Sequence, residues 1–294
     1  MTAARAELAP GRWHFQHGPI DLVIGADGDA RAIRAAVDAA WGRFGEVLPE
    51  LVGELRQLRA PVSGERAPHA TLAGRERLRG PVALRMWDAC APFARGTFVT
   101  PMAAVAGSVA EEIVAAFRRD GVRRAWVNNG GDIALHLAPG ESLRVAVCAD
   151  PREREAREIA RNSLRVDAAD RVRGIATSGW RGRSQSLGIA DAVTVLAASA
   201  AQADVAATLV ANAVDVEHPA IGRRPANEVR DDSDLGARPV TVEVGELPPS
   251  CVERALDAGV RRARAFVERG LLAQALLSLA GRSRIVTAML EVHR

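Results

Sequence analysis

Asp204, Thr208 and Asn212 stand at i, i+4 and i+8, so a helix over 200–213 carries all three on one face. The positions around them are almost wholly Ala, Val and Leu, which describes a helix buried nearly all round. A carboxylate there is costly unless it is hydrogen-bonded, paired or bound to a cation. Two chemistries fit. Asp204 is either a structural carboxylate accepting backbone or Arg hydrogen bonds, or part of a hard-cation site, since Mg²⁺ takes oxygen ligands such as a carboxylate and a hydroxyl. A second stretch, Trp126 to His136, holds Asn128, Asn129, Gly130, Gly131 and Asp132 between two short apolar runs. Asn-Gly is a strong signal for a tight hairpin, whose central residues need positive φ. The same glycines let backbone approach a ligand closely, with Asp132 near its charge. A third, Val172 to Gly179, reads as a strand running into the turn Thr177-Ser178-Gly179. That turn is either a plain loop or a nest of converging N–H groups that receives an anion.

These groups need elements to hold them. Ser199 is placed to cap the helix that bears Asp204. Ala125 to Val127 and Ile133 to Leu137 are the strands of the glycine hairpin. Thr100-Pro101 marks a helix start, with Met102, Val105, Val109, Ile113 and Phe117 as its buried stripe. Within it Ala103 to Ser108 is small and nearly smooth, suited to close approach by a sheet or ligand. Upstream, residues 1–11 read as a flexible tail, and Arg12 to Gln16 with Pro19 to Gly25 as two strands. Ile33, Val37, Trp41 and Phe44 give a helical stripe that continues through Leu51, Leu55 and Leu58, with a kink or break at Pro49. Pro61 to Arg79 reads as a surface loop and Pro81 to Ala91 as a helix. Beyond the hairpin come a strand to Cys148, a charged segment Arg152 to Ala160, and strands at Ser163 to Val166, Ser184 to Ile189 and Ala192 to Leu196. Asp215 to Arg238 shows no periodicity and reads as a long loop. After a strand at Val240 to Val244, helices are expected at Val252 to Phe266 and Leu271 to Leu279, then a strand at Ile285 to Leu290.

The whole chain sets the class. Its 294 residues are 48% hydrophobic and 26% charged, with a net charge of +3, the profile of an ordinary globular protein able to bury a large core. Every basic residue in that count is Arg, and there is no Lys, so no step uses a lysine amine. Without basic stripes interleaved with aromatics, nucleic acid is not an expected partner. Cys90, Cys148 and Cys251 lack metal-ligand or disulfide spacing. No run has bilayer length and no signal peptide is evident, so a cytoplasmic protein off the membrane is expected. Homo-oligomerisation is left open.

Taken in order, three segments resemble the ApbE-like superfamily, best known for FAD:protein FMN transferases. Asn128-Asn129-Gly130-Gly131-Asp132-Ile133 is similar to that family's Asn-x-Gly-Gly-Asp-Ile, and Ala176-Thr177-Ser178-Gly179 to its Ala-Thr-Ser-Gly turn. Ser199 with Ala203-Asp204-Val205-Ala206-Ala207-Thr208 resembles its Ser…Ala-Asp-Ala-x-Ala-Thr helix. The match covers roughly residues 97–214. The stretches Trp126 to His136 and Arg173 to Leu196, read as blocks, resemble more closely a branch known only as an uncharacterised protein family.

The resemblance implies an α+β, T-fold-like ApbE-type architecture, mostly antiparallel sheet with packed helices, as a single unit over 12–294. It implies Mg²⁺ held by the Asp204 carboxylate, the Thr208 hydroxyl and the Ala176 carbonyl. Asn129, Gly130, Gly131 and Asp132, with Thr177, Ser178 and Gly179, would line a site for FAD or FMN. The implied activity is FMN transfer from FAD to a Thr or Ser of an acceptor protein, or cleavage of the FAD pyrophosphate. Two departures favour instead a non-catalytic ligand-binding or assembly protein that retains the fold. Val105-Ala106-Gly107-Ser108 replaces the family's Gly-Ile-Ala-Lys-Gly, and the family's His-Ile-Ile-Asp-Pro segment is missing where Leu187-Gly188-Ile189-Ala190-Asp191 runs on. A nonflavin heterocycle is a further ligand class that suits a glycine-lined site.

Overall fold

The computed structural model describes residues 2–62, 74–146 and 163–288. The segment Arg152 to Ala160, most of the Pro61 to Arg79 loop and the ends of the strands expected to reach Cys148 and Leu290 lie outside those residues. The chain divides into two compact units, one of residues 1–145, 164–176 and 198–205, the other of 146–163, 177–197 and 206–294.

The first unit is built on an antiparallel sheet. Its strands are β1 (Ala4–Ala9), β2 (Arg12–His17), β3 (Ile20–Gly28), β4 (Val122–Asn129) and β5 (Asp132–Leu137), each hydrogen-bonded to the next. Residues 174–176 then add to β5, with Ile133 opposite Ile175. The expected tail is therefore wrong for residues 4–9, which form the outermost strand of this sheet. Six residues exposed on both faces give little burial signal, and the partner β2 supplies the ladder. Alternation along β2 and β3 turns Phe15, Leu22 and Ile24 inward, as a sheet with one covered face requires.

The main helices of this unit are α1 (Ala30–Gly53), α2 (Pro81–Cys90) and α3 (Val105–Val114). Asp29 caps α1, its carboxylate accepting from the N–H groups of Arg31 and Ala32. Pro49 sits inside α1 and does not end it. Val47 and Leu51, fully or nearly buried on either side of it, continue the apolar stripe, and that packing outweighs one lost hydrogen bond. Phe15 meets Trp41 and Phe44 of α1 at ring-centroid distances of 5.1 and 5.5 Å. Thr100 makes no side-chain cap; Pro101–Ala104 is a 3₁₀ turn leading into α3, and Ala115–Phe117 another leading out. β6 (Ser142–Ala146) and β7 (Ser163–Asp167) form a small sheet of their own.

The chain passes between units within β8 (Gly174–Ser178) and within α4 (Ala200–Ala213). In the second unit β9 (Ala192–Ala197) pairs antiparallel with β12 (Gln274–Leu279), which pairs with β13 (Arg282–Thr287). α5 (Pro249–Glu268) packs on β12 and β13. Three expectations fail here. Leu271 to Leu279 is not a helix: Ala275, Leu277 and Leu279 alternate inward along β12, a period of two that a cluster of leucines disguised. The long loop at Asp215 to Arg238 contains β10 (Ile221–Pro225), paired with β11 (Pro239–Val244). Ser184 to Ile189 forms no strand. Its backbone is tied instead to the end of α4, through Leu187 N–H to the Asn212 carboxamide and Ile189 N–H to the Val214 carbonyl.

Candidate functional site

The start of α4 is held by backbone contacts that only glycine allows. A Cβ on Gly107 would lie 2.2 Å from the Ala200 carbonyl oxygen, and one on Gly174 2.2 Å from the Ser199 carbonyl carbon. Ser199 caps α4 as expected, its hydroxyl accepting from Gln202 N–H at 3.3 Å. The small Ala103 to Ser108 stretch thus admits a helix start.

That approach places Asp204 against α3. Its Oδ2 accepts the Gly107 N–H at 3.0 Å, and the Ala106 N–H also donates to the carboxylate. Among the described residues no arginine or histidine pairs with it. Burial pushes the Asp204 carboxyl up to about 7, against the pull of the two backbone N–H groups. Glu111 of α3 reaches the same helix start, accepting the Ala201 N–H at 3.4 Å. Glu111 also pairs with Arg85 at 3.6 Å, in a network where Glu112 joins Arg85 to Arg43.

The glycine segment is a two-residue hairpin, with Asn129 opposite Asp132. Gly130 and Gly131 have φ of 67° and 114°, which side chains disfavour. Asn128 Oδ1 accepts the Gly131 N–H at 2.8 Å and Asn129 Nδ2 donates to the Ala106 carbonyl at 3.2 Å. Asn129 and Asp204 therefore both anchor on Ala106-Gly107, and the structure brings them to one place. Ala176 is buried, in the residues that extend the sheet beyond β5.

The second unit holds Thr177, Ser178, Gly179, Thr208 and Asn212. Thr177, exposed, shares a 2.9 Å hydrogen bond with the Thr194 hydroxyl. The expected turn at Thr177-Ser178-Gly179 is not formed: Thr177 and Ser178 end β8, and the Trp180 N–H beyond Gly179 donates to the Ala190 carbonyl. A Cβ on Gly179 would meet the Asp191 carbonyl oxygen at 2.4 Å. The Asp191 side chain accepts from Ala280 N–H at 2.7 Å, Arg181 Nε at 3.3 Å and Trp180 Nε1 at 3.4 Å, so it organises the turn on which Thr177 to Gly179 end. Sequence reasoning gave Asp191 no role, because its partners are far along the chain. Thr208 is partly buried one turn beyond Asp204. Asn212 leaves the shared row: its Oδ1 accepts from Leu187 N–H at 2.9 Å and from the Ser186 hydroxyl at 3.2 Å, a structural duty.

Among the described residues no three His, Cys, Asp or Glu side chains gather as a metal cluster. A cation at Asp204 would rely on hydroxyl and carbonyl oxygens for its other ligands, the donor set expected for Mg²⁺.

A family model described as AbpE bacteria matches residues 5–285. The chain belongs to that family. It is 37% identical over 135 residues to a UPF0280 protein of Methanothrix thermoacetophila, covering 46% of this chain and 52% of the relative. A UPF0280 protein of Methanothermobacter thermautotrophicus is 33% identical over 168 residues, covering 57% and 62%. The chain thus spans about half the length of the curated relatives it matches. The solved structure of Pseudomonas stutzeri flavinyl transferase ApbE, apo form, aligns over 98% of this chain and 94% of that one, with a TM-score of 0.44 and 13% identity. That likeness is too loose to carry an argument; the α+β, antiparallel character of this AbpE bacteria member rests on its own strand pairing. Among the described residues no helix is long and apolar enough to cross a membrane.

Proposed function

We propose that this member of the AbpE bacteria family binds a flavin nucleotide together with Mg²⁺, and that its reaction is FMN transfer from FAD to an acceptor protein or cleavage of the FAD pyrophosphate. One observation carries the reading: the Asp204 carboxylate is held by backbone N–H groups and, among the described residues, faces no side-chain cation. Such a carboxylate is ready to take a divalent ion, since backbone donors fix its position without supplying the balancing charge. In this reading Asp204, the Thr208 hydroxyl and the Ala176 carbonyl hold Mg²⁺. The metal supplies neutralisation of charge developing on phosphate oxygens. By the motif resemblance that singled them out, the Asn129–Asp132 hairpin and the Thr177–Gly179 segment each contribute to flavin-nucleotide binding.

A second reading is a binding or assembly protein without catalysis. It is favoured by the absence of Lys and by Asn128 and Asn129, whose amides are engaged in local bonds. Calorimetric titration of FAD, with Mg²⁺ and with excess chelator, tests both. The first reading expects metal-dependent binding that Asp204→Ala removes, accompanied by release of FMN or AMP; binding without turnover supports the second. No heat and no thermal shift with FAD, FMN or Mg²⁺ overturns the flavin assignment.

A further inference from the structure

β1 is a strand that buries nothing; it is in regular register with β2 from Ala4 to Glu7, and the register slips once between Glu7 and Ala9. All six of its residues, Ala4 to Ala9, are exposed, and Leu8 is 57% exposed. It stands at the end of the sheet order, paired on one side to β2. Among the described residues no backbone group bonds to its other side. Helix α1 does not cover this end of the sheet: a groove of about 610 Å³ opens between them, its wall including Trp13, Ile33 and Val37. An edge of free N–H and C=O groups is a template for another strand. Ordering an exposed strand costs chain entropy that burial within this chain does not offset.

Natural edges are commonly guarded by charge, but the charges here are self-complementary. Arg5 and Glu7 lie two residues apart and so share one face of the strand. We propose that β1 is the interface of a two-fold homodimer, pairing antiparallel with β1 of a second copy about Ala6. In that register Arg5 stands opposite the partner's Glu7 and Glu7 opposite the partner's Arg5. Ala6 meets the partner's Ala6, and Leu8 lies across from the partner's Ala4. The contact is isologous, so it closes at two copies and leaves no free edge to propagate. Arg5 is already steered toward this face by Asp38 at 3.2 Å and by the Trp41 ring at 5.4 Å.

Sedimentation equilibrium of the full chain over a dilution series is the test, with Glu7→Arg and the double variant Arg5→Glu/Glu7→Arg, each checked by circular dichroism for native fold. The expected result is a concentration-dependent dimer in the wild type, association weakened about tenfold or more in Glu7→Arg, where four arginines face one another, and recovery in the double variant. Under mild oxidation Ala6→Cys should form a disulfide-linked dimer that the wild type does not, because directly opposed Cα atoms fall within disulfide range. A wild type that is monomeric at every concentration overturns the proposal. So does a dimer that Glu7→Arg leaves intact, or one that the double swap fails to restore.

Discussion

Gly107→Ala tests the contact on which the whole site geometry depends. In a helix interior the change to alanine normally stabilises by about 0.8–1.0 kcal/mol. Here the new Cβ would sit 2.2 Å from the Ala200 carbonyl oxygen, 2.5 Å from its carbon and 2.8 Å from the Ala201 nitrogen. All three are main-chain atoms, so no rotamer change relieves the clash and α3 must move away from α4. Overpacking of this kind costs about 1–3 kcal/mol, and the upper end applies against backbone. Subtracting the helix gain leaves a net loss of about 2 kcal/mol, which for a chain of this size is a melting temperature lower by about 3 °C. The displacement would also lengthen the Gly107 N–H bond to Asp204. Gly42→Ala is the internal comparison. Gly42 lies within α1 with nothing inside 4 Å of an added Cβ, so the identical substitution should stabilise by about 0.5–1 kcal/mol. Differential scanning calorimetry on both variants reads the two signs. Equal or same-direction shifts would refute the close approach of α3 and α4.

Two further outcomes follow from the same geometry. Burial pushes the Glu112 carboxyl up, but hydrogen bonds and charge from Arg43 and Arg85 hold it below its ordinary 4.5; its stabilising share is therefore complete above pH 4.5 and lost as pH falls through the lower folded value. Glu112→Gln should cost about 1.5–3 kcal/mol at neutral pH and flatten the acid limb of a urea-denaturation pH series; an unchanged limb would remove Glu112 from that role. Asn212→Ala strips an acceptor from Leu187 N–H and the Ser186 hydroxyl and should destabilise by about 1–3 kcal/mol. Hydrogen exchange should rise at Leu187, and protection left at the wild-type level there would count against the assignment.

The sequence carried the helix of Asp204 and the glycine hairpin better than it carried the strands β1 and β12. The 200–213 helix was legible because its apolar residues are interrupted at a fixed spacing, and the structure leaves Asp204, Thr208 and Asn212 less buried than their neighbours. The hairpin was legible because Asn-Gly-Gly encodes a backbone conformation directly. What the spacing could not show is which atoms each polar group meets. Asn212 and Asp204 share a face, yet one is consumed by a loop 25 residues upstream and the other by a helix 97 residues upstream. β1 and β12 escaped for a different reason. A strand with both faces wet has no apolar face to mark it, and a strand dense in leucine hides the alternation that separates strand from helix.

The departure at Val105-Ala106-Gly107-Ser108 has a physical consequence that the motif comparison alone does not express. With no long side chain at this position, α4 begins directly against the α3 backbone, and the partners of Asp204 are N–H groups rather than a cationic side chain. Peptide dipoles orient a carboxylate but bring no net charge, so they only partly offset the cost of burying it. The balance must come from a proton or from a cation that enters the site. The first accounts for a carboxyl raised to about 7, and the second is open to an oxygen-seeking ion. With no lysine in this segment, no amine there balances Asp204, and the demand of its carboxylate for an external positive charge is unmet by α3. Asp204 and Thr208 beside a sequence with no Lys are consistent on those terms, which makes metal binding, rather than turnover, the property by which this chain should first be judged.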